Sequence, residues 1–271
     1  MTSRAVSVES DTEPEDGSAA DTRRADEETP EPAIDVGTAS PTTLAQELLV
    51  ATKRGEDTEP YEAALANLDD ADLEAVRADR NTALAFWINL YNAGTQLLLR
   101  DRPELYESSL RFFRFFHAPA VTVAGTELSL DRIENGLLRG RSKYGLGSVP
   151  KLLVTSFESR HTVESLDPRI HFALNCGAES CPPIRAYEPE NIDAQLDLAT
   201  RSYLDTELEY DAESNTVRVP RVFLWFPGDF GGPSGIRSFL HEHDSVPEDA
   251  SPKIRFQSWD WSKDENKFVE A

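Results

Sequence analysis

The chain has 271 residues, with 49 Asp and Glu against 27 Lys and Arg, a formal net charge of −22 at pH 7 and 39% hydrophobic residues. This balance argues against phosphate-backbone binding and against docking on an anionic membrane, since both need basic neutralisation; neither nucleic acid nor membrane is an expected partner. No apolar run approaches the roughly 20 residues of a membrane span, no targeting segment is legible, and two cysteines do not make a disulfide framework, so a cytoplasmic protein is expected.

Only 6 of the basic residues are Lys. An acid-rich, lysine-poor surface suits a salt-rich, halophilic cytoplasm, where screening suppresses self-repulsion. Residues 1–42 hold 11 acidic residues, 3 Arg and no aromatic. They read as a disordered acidic tail, because such a segment buries too little apolar area to offset its ordering entropy. Residues 43–271 read as a single globular domain.

Within that domain Leu44, Leu48 and Leu49 mark a first helix, and short helices follow between Tyr61 and Ala78. Asn81-Thr82 is the expected cap of a long helix from about Ala83 to Arg100, with Pro103 just beyond its end. VTVAGTELSL predicts a hairpin around Ala124-Gly125, and LDRIENGLLRG an amphipathic helix. KLLVTSF is a short buried strand or helix turn, and IHFALN, opened by Asp167-Pro168, is the expected central strand. Ile192, Leu196, Ala199 and Tyr203 fall at helical spacing. ELEYDAESNTVRVPRVFLWF predicts a hairpin turning near Ser214-Asn215, before a short helix around Ile236–Leu240 and a closing strand, KIRFQSW. Helices precede strands without βαβ alternation, which predicts an α+β fold: a buried central helix packed on a small, mostly antiparallel sheet.

The long helix carries a narrow stripe of Asn89, Asn92, Gln96 and Arg100 beside Ala85 and Ala93. Uncharged amides next to alanines fit either bonding to neighbouring backbone or the lining of a pocket. The densest chemistry lies at Arg169–Arg185, where His171, Asn175, Cys176, Glu179 and Cys181 sit together. In a strand, His171 and Cys176 would face opposite sides, so they meet only if the chain breaks near Asn175-Cys176-Gly177. A cysteine nucleophile with a histidine base and an orienting amide is one reading, a CxxxxC redox pair a second, and a metal site a third. His171 and the two cysteines are too few for a closed tetrahedral site, so no metal and no cofactor is expected. Glu134 is expected to face outward or bond locally, although a helix start at Asp131/Glu134 could reach a site. Asp229, flanked by aromatics, is expected to cap backbone. No Gly-rich phosphate loop or GxSxG elbow is present.

AFWINLYNAGT, SLDRIENGLLR, RIHFALNCGAESCPPIRAY, WFPGDF and IRFQSWDWS occur in this order, and the chain in this respect resembles the domain-of-unknown-function 547 family over roughly residues 43–265. The resemblance implies that Cys176 is the dependable cysteine, since Ser often stands where this chain has Cys181. It also implies an interaction role for some members, which join the domain to coiled-coil segments. The closing Trp259-Asp260-Trp261-Ser262 departs conservatively from the family's Tyr-Asp-Trp-Ser. A more distant fold-level likeness to papain- and transglutaminase-type enzymes implies a buried helix against catalytic strands, although here His171 precedes Cys176. The expected function is a thiol-centred pocket of a cysteine-dependent hydrolase or transferase. Cys176 and His171 would be catalytic, and Asn89, Asn92, Gln96, Asn175 and Glu179 would line the pocket. The alternative is a non-enzymatic module that binds a protein partner.

Overall fold

The computed structural model describes residues 34–107, 114–140 and 155–269. The expected disordered tail therefore lies, up to residue 33, outside the described residues, as does the KLLV part of KLLVTSF. The fold is α+β, with a buried central helix and two small sheets.

Helix α1 spans Pro41–Arg54, capped by Ser40, whose side chain accepts from the Thr43 N–H, with Pro41 in the first turn. Helices α2 (Glu59–Ala66) and α3 (Asp70–Ala78) follow, the latter opened by a reciprocal Asp69/Asp72 capping box. Helix α4 spans Arg80–Asp101. Its cap is Asp79 rather than Asn81-Thr82: the Asp79 carboxylate accepts from both the backbone N–H and the hydroxyl of Thr82. Every residue of α4 from Ala83 to Leu99 is buried. A helix apolar on nearly all sides has to sit in the middle of a fold, and α1, α3 and the first hairpin all pack against it.

That hairpin pairs β1 (Pro119–Val123) with β2 (Thr126–Ser129). Its turn places Ala124 at φ 47° and Gly125 at φ 68°, and both turn N–H groups donate to the carbonyls of Leu65 and Ala66 at the end of α2. The predicted amphipathic helix after it is a π-helix over Arg132–Leu138, a wide turn often found at functional sites. Helix α5 (Ser156–His161) carries its own Thr155/Glu158 capping box.

The expected central strand IHFALN is not a strand. Pro168–Phe172 is a 3₁₀ helix capped by Asp167, whose carboxylate accepts from the Arg169 N–H, and residues 173–176 continue without a ladder. The reason is long-range. The Asn92 amide donates to the Ala173 carbonyl at 3.0 Å and accepts from the Asn175 N–H at 2.9 Å, so one side chain supplies what a partner strand would.

Helix α6 (Ile192–Glu207) leads into an antiparallel hairpin of β3 (Glu209–Asp211) and β4 (Thr216–Val219), with Asn215 at φ 46° in the turn. The second arm is shorter than expected. Pro220 has no N–H for a ladder, and Val222–Trp225 forms a helical turn, α7. Helix α8 (Gly232–Glu242) and strand β5 (Lys253–Phe256) complete the fold, with β5 parallel to β4 in the order β3-β4-β5. Two apolar clusters result: a large one around α4, and a smaller aromatic one of Phe172, Phe223, Phe230 and Phe239 with β4 and α8. Among the described residues, no helix is long and apolar enough to cross a membrane.

Candidate functional site: an aromatic cavity with two thiols, a carboxyl and a histidine

The cysteine loop is held from three sides. Gly177 takes φ 82°, and a Cβ there would lie 2.8 Å from Leu99 Cδ1, so only glycine lets the chain turn against α4. Asn175 donates to the Pro182 carbonyl and accepts from the Gly177 N–H, tying the loop to itself. The C-terminal segment straps the outside: Asp264 N–H donates to the Gly177 carbonyl, and Glu179 N–H to that of Ser262.

Inside this loop the Cys176 N–H donates to Cys181 Sγ at 3.1 Å. The Cys176 thiol is pushed well up, first by the hydrogen bond it gives to Cys181 and then by burial. Burial would raise Cys181 too, but hydrogen bonds from the Cys176 thiol, the Cys176 N–H and the Ala178 backbone outweigh it and lower Cys181 below the ordinary thiol range. The pair titrates as a unit whose first negative charge rests on Cys181. Cys181 is buried, whereas Cys176 is partly exposed.

Both cysteines line a cavity of about 160 Å³ together with Glu134, His171 and Tyr91. Trp225, Phe226, Trp259 and Trp261 form its aromatic wall. Trp225 stacks on Trp261 with ring centroids 5.4 Å apart, and Trp261 is 42% exposed. His171 lies against the Phe226 ring, centroids 4.2 Å apart and 17° from parallel. Its Nε2 meets Asp229 Oδ2 at 2.8 Å, and Arg139 grips the same carboxylate with Nε at 2.6 Å and Nη2 at 3.0 Å. The side chains of Arg139 and Asp229 are both buried, and Arg139 is further oriented by Asn135, which in turn donates to Asp131.

Burial lowers His171 against the opposing pull of Asp229, so the ring is neutral at pH 7. Burial also works to raise Asp229, but hydrogen bonds from His171 and Arg139 hold it below the usual carboxylate range. A neutral ring that gives its Nε2 proton to Asp229 leaves a lone pair on Nδ1, which makes no hydrogen bond among the described residues. Glu134 is pushed up to about 7 by burial, with Arg139 opposing. Tyr91 donates to it at 3.3 Å. The cavity thus holds a carboxyl that is half protonated near neutrality and a neutral imidazole with one open nitrogen.

His171, Cys176 and Cys181 share this cavity, which strand parity did not anticipate, because the 3₁₀ helix replaces the strand. The amides expected to line it lie elsewhere. Asn89 is buried, donating to the Tyr187 carbonyl and accepting from the Tyr187 N–H; Asn92 and Asn175 are likewise used on backbone. Gln96 accepts from the Asn266 N–H and borders a different, larger pocket. Glu179 is exposed, and its backbone, not its carboxylate, makes the described bonds. Glu134 faces the cavity rather than outward, and Asp229 holds a side-chain pair rather than capping backbone. The signal for Glu134 was its place four residues from both Leu130 and Leu138, a carboxylate inside a buried apolar stripe. Nothing local in the sequence pointed to Arg139 or to the partnership of Asp229.

Residues 76–204 match the family model described as Protein of unknown function, DUF547. Neither a curated protein nor a solved structure matches the chain. The DUF547 segment holds Tyr91, Glu134, Arg139, His171 and both cysteines. Asp229 and the tryptophans follow it, so the cavity is completed by chain outside the matched span. The WFPGDF and IRFQSWDWS motifs of the sequence resemblance likewise lie beyond that span.

Proposed function

We propose that the cavity is the site of a cysteine-dependent hydrolase or transferase acting on an acyl group, with Cys176 as the nucleophile. The observation that carries this reading is the convergence of Cys176, Cys181, Glu134 and His171 on one small, aromatic-walled cavity. Cys181 starts as the thiolate of the pair, and as the Cys176 sulfur attacks the acyl carbon its proton passes along the existing hydrogen bond to Cys181. The bond to the leaving group breaks, and the leaving group takes the proton of Glu134, whose raised pKa keeps it available near neutral pH. Water, or an acceptor nucleophile in a transferase, then attacks the thioester, oriented by the open Nδ1 of His171. The carbon–sulfur bond breaks, the attacking nucleophile's proton goes to Glu134, and Cys181 returns its proton to the departing Cys176 sulfur, regenerating the Cys181 thiolate. Asp229 and Arg139 act as positioning residues through His171.

The test is native alkylation with iodoacetamide at neutral pH, followed by hydrolysis of small p-nitrophenyl esters. Although the pair's charge rests on Cys181, modification is expected at the partly exposed Cys176, which gives up its proton to Cys181 as it reacts, and not at buried Cys181; Cys176→Ala is expected to abolish ester turnover. Glu134→Gln is expected to lower turnover about 100-fold and to remove the fall in rate above pH about 7. If Cys176 resists alkylation until the chain is unfolded, the nucleophile reading fails. The cavity residues are then structural, and the chain reads as a protein-interaction module.

A further inference from the structure

Strand β5 closes the three-stranded sheet and has a free edge. Its ladder to β4 uses the N–H groups of Lys253 and Gln257, bonded to the Asn215 and Val219 carbonyls at 2.9 and 3.0 Å. N–H groups alternate in direction along a strand, so those of Ile254 and Phe256 point away from β4. No further strand pairs with β5 among the described residues. Beside it runs a groove of about 450 Å³, bounded by β5 on one side and by α7 and α8 on the other. Phe223, Leu224 and Ile236 give it apolar walls, and Arg237, Lys253 and Arg255 its charge. Phe256 at one end is 38% exposed, one of few large exposed apolar side chains in the described chain.

The charge is the unusual part. With 49 acidic residues against 27 basic ones, cations in this protein generally find a carboxylate; Arg169 alone meets Asp167, Asp193 and Asp197. No acidic residue lines this groove. Among the described residues Arg237 donates only to the carbonyls of Pro252 and Pro233, and Arg255 only to that of Ile254. Among the described residues, Lys253, Arg237 and Arg255 form no ion pair. Lysine on an edge strand deters indiscriminate strand pairing, and an acidic strand is the partner such an edge still admits. A second copy of this chain, at net charge −22, is repelled instead.

We propose that the groove docks an extended acidic segment of a partner protein, which adds to β5 as a further strand. Its carboxylates would pair with Arg237, Lys253 and Arg255, and its alternate apolar side chains would enter the groove. This site is separate from the thiol cavity, and its test does not depend on catalysis.

The probe is a fluorescein-labelled octapeptide of alternating Val and Glu, titrated into the full chain by anisotropy. Binding is expected to weaken with salt and to fall about tenfold in the triple variant R237Q/K253Q/R255Q, three exposed pairs each contributing a modest amount. The control R77Q/R160Q/R201Q makes the same change in net charge at ion-paired positions elsewhere and is expected to leave affinity within about twofold. Amide exchange at Ile254 and Phe256 is expected to slow on binding. The proposal is overturned if the Val/Glu peptide does not bind, if a Val/Lys peptide binds equally, or if the control variant loses as much affinity. Binding that leaves the two amides unprotected excludes strand addition.

Discussion

Two buried polar clusters lie within a few turns of each other, and they differ in one respect. Asn89 and Asn92 on α4 and Asn175 in the loop against it use both ends of each amide on backbone: Asn89 bridges Tyr187, Asn92 bridges Ala173 and Asn175, and Asn175 bridges Pro182 and Gly177. In the cavity, among the described residues, His171 is anchored through Nε2 with Nδ1 left open and the Glu134 carboxyl has a single long bond from Tyr91, while Cys176 is partly exposed. A structural polar group has its bonding capacity used up; a group with one side engaged and the other facing a cavity is prepared for a ligand. By that criterion the amide stripe serves as scaffold, and the His–Cys–Glu cluster is the one we propose as the site.

This contrast can be broken at several points. The largest effect is expected from Arg139→Ala, which leaves Asp229 as an unpaired buried charge and should cost about 3–5 kcal/mol in a denaturation experiment. Asn92→Leu follows, at about 2–4 kcal/mol, because the Ala173 carbonyl and the Asn175 N–H lose their partner together. Comparable in size and opposite in sign is Glu134→Gln. A carboxyl raised to about 7 in the fold binds more protons folded than unfolded between its unfolded value and 7, so stability falls as pH rises through that window. The variant should therefore gain about 3 kcal/mol over the parent at pH 8.5, and the difference should close below pH about 4.5. The smallest change is expected from Cys176→Ser, within about 1 kcal/mol in stability, although it should remove native alkylation entirely. If Cys176→Ser proved as damaging as Asn92→Leu, the division between scaffold and site would fail.

Much of the fold was readable because its signals are local. The apolar content of α4, the Ala124-Gly125 turn and the spacing of Ile192, Leu196, Ala199 and Tyr203 each act within a few residues. The misreading of IHFALN has an equally specific cause. Its composition suits a strand, but its backbone partner is the Asn92 side chain, 81 residues earlier in the case of the Ala173 carbonyl. The second hairpin ends sooner than its aromatic run suggests because Pro220 has no N–H to extend the ladder.

The sequence by itself determined the α+β class and the buried central helix, because periodicity and residue chemistry are written along the chain. Only the tertiary structure decided which groups meet. Asp229 reaches His171 across 58 residues and Arg139 across 90, and Glu134 comes to the cavity on a π-helix. Pairings over such separations depend on how the packed elements place their side chains, and no local pattern encodes that placement.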